Sequence, residues 1–184
     1  MINIQKALLI VVCYTLSVSP TFAREILDET SVKASIIASF VAFTSWPINP
    51  SNAKETEFLL CIAGDDPYSR IFKQAPKSGF GGRSLVVYPL PKNIRDNDLA
   101  GCHVLIIRQN NKENAADLLK IVSDLPILTI SEFENYDNQM SMINMARKKG
   151  RIIFSINIAP SNRVGIQFRS KLLRLAKKVT GGES

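Results

Sequence analysis

Apolar residues in this chain fall into short dense runs that alternate with stretches of helical spacing. Phe58-Leu59-Leu60-Cys61-Ile62-Ala63, Cys102-His103-Val104-Leu105-Ile106-Ile107 and Pro126-Ile127-Leu128-Thr129-Ile130 carry few polar interruptions. Such runs mark strands covered on both faces, as in a parallel sheet. Leu85 to Tyr88 is a further short strand, closed by Pro89 and Pro91. Met140 to Met145 and Arg151 to Asn157 finish the sheet, and Arg147-Lys148-Lys149 before Gly150 reads as a hairpin tip between them. Between the strands, Glu29 to Ala42 keeps Val32, Ile36, Phe40 and Phe43 at helical spacing, with Thr30 or Ser31 as cap and Pro47 as terminator. Asp66 is a good N-cap and Pro67 a good first helical residue. Glu113 to Val122 places Ala116, Leu119 and Val122 on one face.

The end of the chain reads as strand, break, short strand and helix. Pro160-Ser161-Asn162 interrupts the strand that ends at Asn157, and Gly165 to Phe168 is a short second strand. A helix from Arg169 or Ser170 is expected to run past Val179, because Phe168, Leu172, Leu175, Ala176 and Val179 share a face. Lys177 and Lys178 then occupy its last turn, and Gly181-Gly182 stops it. Strands alternating with helices predict an α/β layered sandwich with a mostly parallel sheet flanked by helices.

The first residues read as an export leader. Lys6 precedes the apolar run Ala7 to Leu16, and Thr21-Phe22-Ala23 is a small-x-small cleavage site. The run is too short for a comfortable membrane span of about 20 residues. Cleavage after Ala23 leaves Arg24 to Ser184, read as one domain with no membrane insertion, in the periplasm of a bacterium. Loss of Lys6 lowers the net charge from +7 to +6. An exported protein rarely meets nucleic acid, so the basic excess is read as a solvated surface that aids solubility. Cys61 and Cys102 remain after cleavage. A pair with no leftover in an oxidising compartment reads as one disulfide. The other readings are two buried free thiols or a catalytic dithiol, and the latter usually takes the CxxC form that this chain lacks.

Little here speaks for catalysis. His103 is the single histidine, and no HExxH, CxxC, GxSxG or P-loop pattern occurs. The Ser78 to Gly82 loop precedes a strand rather than a helix, so it is read as a turn and not a phosphate cradle. Asp65-Asp66 after the first long strand could hold Mg²⁺ as in a response-regulator receiver. That arrangement also needs an Asp after the third strand, where Arg108-Gln109-Asn110 stands. No enzyme activity, cofactor or metal is expected.

Several segments in order resemble one family. They are Phe43-Thr44-Ser45-Trp46-Pro47, the strand and turn from Leu60 to Pro67, Gly101 to Ile107, Pro126 to Ser131, and a closing pattern of Phe154-Ser155-Ile156-Asn157 with Gly165 to Ala176. This order is similar to that of the YfiR family and covers nearly all of the chain after the leader. The resemblance implies an exported regulator. It binds the periplasmic domain of an inner-membrane diguanylate cyclase and represses it, which lowers cyclic di-GMP and biofilm formation. Cys61 and Cys102 fall where the family places a paired cysteine. A homodimer is expected. Asn138 to Ile143 departs from the glycine-rich segment of the family.

The surface expected to carry repression is Asn157 to Phe168. There Asn157, Arg163 and neighbouring polar residues surround apolar Ile158, Val164, Ile166 and Phe168. The competing reading makes those apolar residues core under a strand-to-helix connection. Trp46 is read as a core plug at a helix end, with an exposed partner anchor as the other reading. The alternative function is a periplasmic small-ligand binder with a pocket at the strand ends near Asp65 and Arg108.

Overall fold

A computed structural model describes residues 28–47, 57–74, 83–134 and 140–182. The glycine loop before the third strand and the start of the divergent Asn138 to Ile143 segment lie outside those residues. So does the export leader.

Helix α1 (Glu29–Ala42) starts where Asp28 Oδ1 accepts the Ser31 amide at 2.9 Å. The cap is therefore two positions earlier than Thr30 and three earlier than Ser31, the caps expected from the sequence. Its buried residues are Ala34, Ile37, Phe40 and Val41. The helix is apolar around most of its girth, which is why spacing alone picked a neighbouring stripe. The β1 pair (Thr44–Ser45) follows, then β2 (Glu57–Ala63), α2 (Ser69–Lys73), β3 (Ser84–Pro89) and β4 (Cys102–Arg108). A 3-10 segment at Gln109–Asn114 leads into α3 (Ala115–Ile121) and β5 (Leu128–Glu132). The chain ends with β6 (Ile143–Lys148), β7 (Arg151–Asn157), α4 (Ile158–Arg163), β8 (Gln167–Phe168), α5 (Ser170–Leu175) and β9 (Lys178–Thr180).

Seven strands form one sheet in the order β3-β2-β4-β5-β6-β7-β9. Every neighbouring pair is parallel except β6 with β7. The fold is thus α/β with a mostly parallel sheet, as the uninterrupted apolar runs imply. The two sheet faces hold separate cores. On one, Leu60, Ile62, Val104, Ile106 and Ile130 pack with Ile37, Phe40 and Leu172 from α1 and α5. On the other, Cys61, Ala63, Leu105 and Ile107 pack with Leu118 and Leu119 of α3. Successive strand residues serve alternate cores, which follows from the two-residue period of a strand.

Cys61 and Cys102 are joined in a disulfide between adjacent strands β2 and β4, with Cα atoms 5.9 Å apart. The β6–β7 turn is at Lys149 and Gly150, both at positive φ (49° and 74°), the conformation of a tight two-residue hairpin.

The final helix is shorter than its apolar spacing predicts. It stops at Leu175, Ala176 is extended, and Lys178–Thr180 joins the sheet beside β7. Lys177 and Lys178 therefore do not sit in a last helical turn, and Gly181 follows a strand. The physical reason is the open edge of β7. The Lys177 amide donates to the Phe154 carbonyl at 2.8 Å, a ladder bond that further helix would forfeit.

Candidate functional site

The segment after β7 begins with the Asn157 side chain. Its Oδ1 accepts the Ala159 amide at 3.1 Å and caps α4. Pro160 sits in the first turn of that helix, where its missing N–H costs no intrahelical bond. What the sequence presents as a break is thus a short helix. Ser161 is buried, and its hydroxyl donates to the Ile158 carbonyl at 2.9 Å. Gly165 takes φ +75°, and the Ile166 amide returns to the Ser161 carbonyl at 2.9 Å.

The six candidate partner residues separate by exposure. Arg163 is exposed, while Asn157, Ile158, Val164 and Phe168 are half-buried. Ile166 is 0% exposed and belongs to the core beneath α1. Its side chain offers no contact surface, so any role it has in recognition is through the shape of the loop above it.

The chain then returns to its start. β8 pairs antiparallel with β1, Phe168 opposite Thr44 and Gln167 opposite Ser45. The Arg169 amide donates to the Phe43 carbonyl at 2.9 Å. A Cβ on Gly165 would lie 3.4 Å from Pro47. Trp46 is half-buried and meets Phe58 edge-on at 5.3 Å. The Trp46 end and the Asn157 to Phe168 segment, distant in sequence, are therefore one continuous region.

Beside α4 lies a groove of about 510 Å³. Leu119 of α3, Val122 just after it, Met142 and the α4 residues Ala159 and Pro160 give it apolar walls. Lys120, Asp117, Asn157 and Arg163 are among its polar lining residues. Met140, 49% exposed, lies at its margin. Two of the six sequence candidates, Asn157 and Arg163, are thus brought together with α3. The sequence places Ala116, Leu119 and Val122 inward; Leu119 and Val122 are buried, whereas Ala116 is exposed and lines the groove.

The strand ends near Asp65 and Arg108 are a different kind of place. The Arg108 Nη1 pairs with Glu132 and lies 3.2 Å from the Tyr68 hydroxyl, which itself donates to Glu132. Lys33 Nζ reaches Glu132 at 3.3 Å and Glu29 at 2.9 Å, and Arg147 joins Glu29 at 3.1 Å. Burial, with the Glu132 charge and hydrogen bond added, pushes the Tyr68 hydroxyl well above its ordinary pKa. Lys33, followed by weaker attraction from Arg147 and Arg108, holds Glu29 below the usual carboxylate range. The Asp66 carboxylate accepts the amides of Tyr68 (2.9 Å) and Ser69 (3.0 Å) and the Ser69 hydroxyl. It is spent on turning the chain into α2. The Asp65 amide donates to Asn110 Oδ1 at 3.3 Å. Among the described residues, Arg108, Lys33, Tyr68 and Glu132 engage one another at the strand ends. Among the described residues, no cluster of three His, Cys, Asp or Glu could hold a metal ion.

His103 is structural. It occupies an irregularity where the β2–β4 register shifts between Leu59 and Leu60. Its Nδ1 accepts the Leu59 amide at 3.1 Å, and its ring stacks on Phe58 at 4.6 Å.

Residues 30–177 match the YfiR/HmsC-like family. The chain belongs to that family. The match runs from the first turns of α1 to the start of β9 and takes in both the Trp46 end and α4. The YfiR/HmsC-like family is regulatory rather than catalytic, and its members are periplasmic. It implies interaction with the periplasmic domain of a diguanylate cyclase. No individually curated protein matches the chain. Among the described residues no helix is long and apolar enough to cross a membrane.

Proposed function

We propose that this protein is an exported repressor, cleaved after Ala23, that binds the periplasmic domain of an inner-membrane diguanylate cyclase and holds it inactive. Cyclic di-GMP and biofilm formation fall as a result. The observation that carries the reading is the family match across residues 30–177. The contact surface is α4 with the loop to β8: Asn157 and Arg163 at the groove, with half-buried Ile158, Val164 and Phe168 along the same segment. Ile166 supports that loop from below. A mixed surface with a charged residue at its rim and apolar residues within suits a specific, reversible complex.

The test is a pulldown of the cyclase's periplasmic domain, paired with cyclic di-GMP measurement in cells. Arg163→Glu should weaken capture at least tenfold and raise cyclic di-GMP while leaving the thermal midpoint in place. Native capture by a folded Arg163→Glu/Val164→Asp protein would put the interface elsewhere. Light scattering of the free protein checks the homodimer.

A second reading, a small-ligand binder, is favoured by the groove volume, which falls in the usual range of about 300–1,000 Å³ for ligand sites. That site is the α3–α4 groove.

A further inference from the structure

The charge of this protein is segregated. From Met140 to Gly182 the chain holds ten Lys and Arg and no Asp or Glu, so the positive excess of the whole molecule resides in its last quarter. Part of that charge gathers at one edge of the sheet. Lys148 and Arg151 are opposite each other beside the β6–β7 turn, so their side chains share a sheet face, and Lys149 is in the turn itself. β9 brings Lys177 and Lys178 alongside β7. Lys148 stands within hydrogen-bonding reach of Lys177, and together with repulsion between the two ammonium groups this lowers the Lys177 pKa. Arg147 differs, being paired with Glu29 of α1.

Apolar side chains protrude from the same segment. Leu175 is 63% exposed and Val179 41% exposed, on either side of Lys177 and Lys178. Exposed aliphatic residues ringed by cations match a surface that is negative outside and apolar just beneath. Lysine predominates at the edge, and its compact, mobile charge suits diffuse headgroup attraction better than the bidentate pairing arginine makes with a fixed carboxylate.

We infer that the β6–β7 turn and the β9 edge form a peripheral docking surface for an anionic phospholipid bilayer, with Leu175 and Val179 entering the headgroup layer. The turn lies at the opposite end of β7 from Asn157, whereas Val179 pairs with Ile156 next to Asn157. The docking stands whether or not the repressor reading does. A cation near an anionic bilayer raises partitioning about fivefold.

The experiment is cosedimentation of the exported protein, its processing checked by mass, with vesicles of phosphatidylglycerol and phosphatidylcholine or of phosphatidylcholine alone. Binding is expected only to the anionic vesicles, and it should fall steeply between low and physiological salt. Lys148→Gln/Lys177→Gln should lower the partition coefficient about 25-fold, two charges at about fivefold each. Leu175→Ser/Val179→Ser should remove the part of binding that survives high salt. If either pair fails to fold, Lys149→Gln in the turn should still cost about fivefold. Equal binding to both vesicle types, or unchanged binding by folded charge variants, overturns the inference. So does a charge variant that loses the cyclase domain yet keeps its vesicles, which would identify an acidic protein surface as the partner.

Discussion

Two places on the rim of this sheet look alike in sequence and differ in structure. The ends of β4 and β5 and the groove beside α4 both combine charge with apolar walls. At the strand ends Arg108 and Lys33 pair with Glu132, and Lys33 also pairs with Glu29. At the groove, Arg163 and Lys120 are exposed beside an unfilled space. The lesson is that charged residues near a crevice indicate a binding site only after their internal partners are counted. A cluster that pairs within itself fastens α1 to the sheet.

The comparison breaks most readily at Glu132, whose side chain is 2% exposed. Glu132→Ala leaves two cations and a tyrosine hydroxyl without their shared acceptor. Loss of one partner from a buried charge pair costs about 3–5 kcal/mol, and urea unfolding should show a loss of that order. A loss under about 1 kcal/mol would mean the cluster is not what holds α1 down. The disulfide, which lies on the α3 side of the sheet, should come next. Cys61 and Cys102 are 41 residues apart, and closing such a loop stabilises by about 3–4 kcal/mol through the unfolded state. Comparing the native protein with a Cys61→Ala/Cys102→Ala variant in denaturant measures it.

Alkaline pH gives a smaller, graded effect. The Tyr68 hydroxyl stays protonated in the fold beyond the ordinary tyrosine pKa of about 10. Above that pH the unfolded chain binds fewer protons than the folded one, so stability falls by about 1.4 kcal/mol per pH unit. Below it this contribution is fully present. Tyr68→Phe should flatten the slope, which chemical denaturation at pH 9 to 11.5 would reveal. Smallest of all is the stability effect of Arg163→Glu at the groove. An exposed position should move the unfolding free energy by no more than about 0.5 kcal/mol. A larger loss would make Arg163 part of the framework, and the contrast between the two places would disappear.

Much of the sheet is legible in sequence because doubly covered strands must be apolar at every position, as in Phe58–Ala63 and Cys102–Ile107. The tight hairpin at Lys149-Gly150 and the cysteine pair are legible for similarly local reasons. The end of α5 is not, since Leu175 and Val179 fit a helical stripe and only the free edge of β7 decides otherwise. Nor is the groove, which depends on how far α3 stands from α4. The role of Glu132 is hidden too. A charge at the end of a strand usually means solvent, and its burial follows from Tyr68, Arg108 and Lys33 arriving from three other elements.

The ring contact between Phe40 and Phe154, 4.8 Å between centroids, ties the first helix to one of the last strands. Together with the β1–β8 pairing it means that the N-terminal helix has no complete seat until about residue 172 has emerged. Local structure cannot mature from the front of the chain backwards, and loop closure over more than a hundred residues precedes the reward of burying α1. Refolding should therefore be slow for a chain of this size. Stopped-flow fluorescence of Trp46, which joins β1 to the core, would report the late step directly.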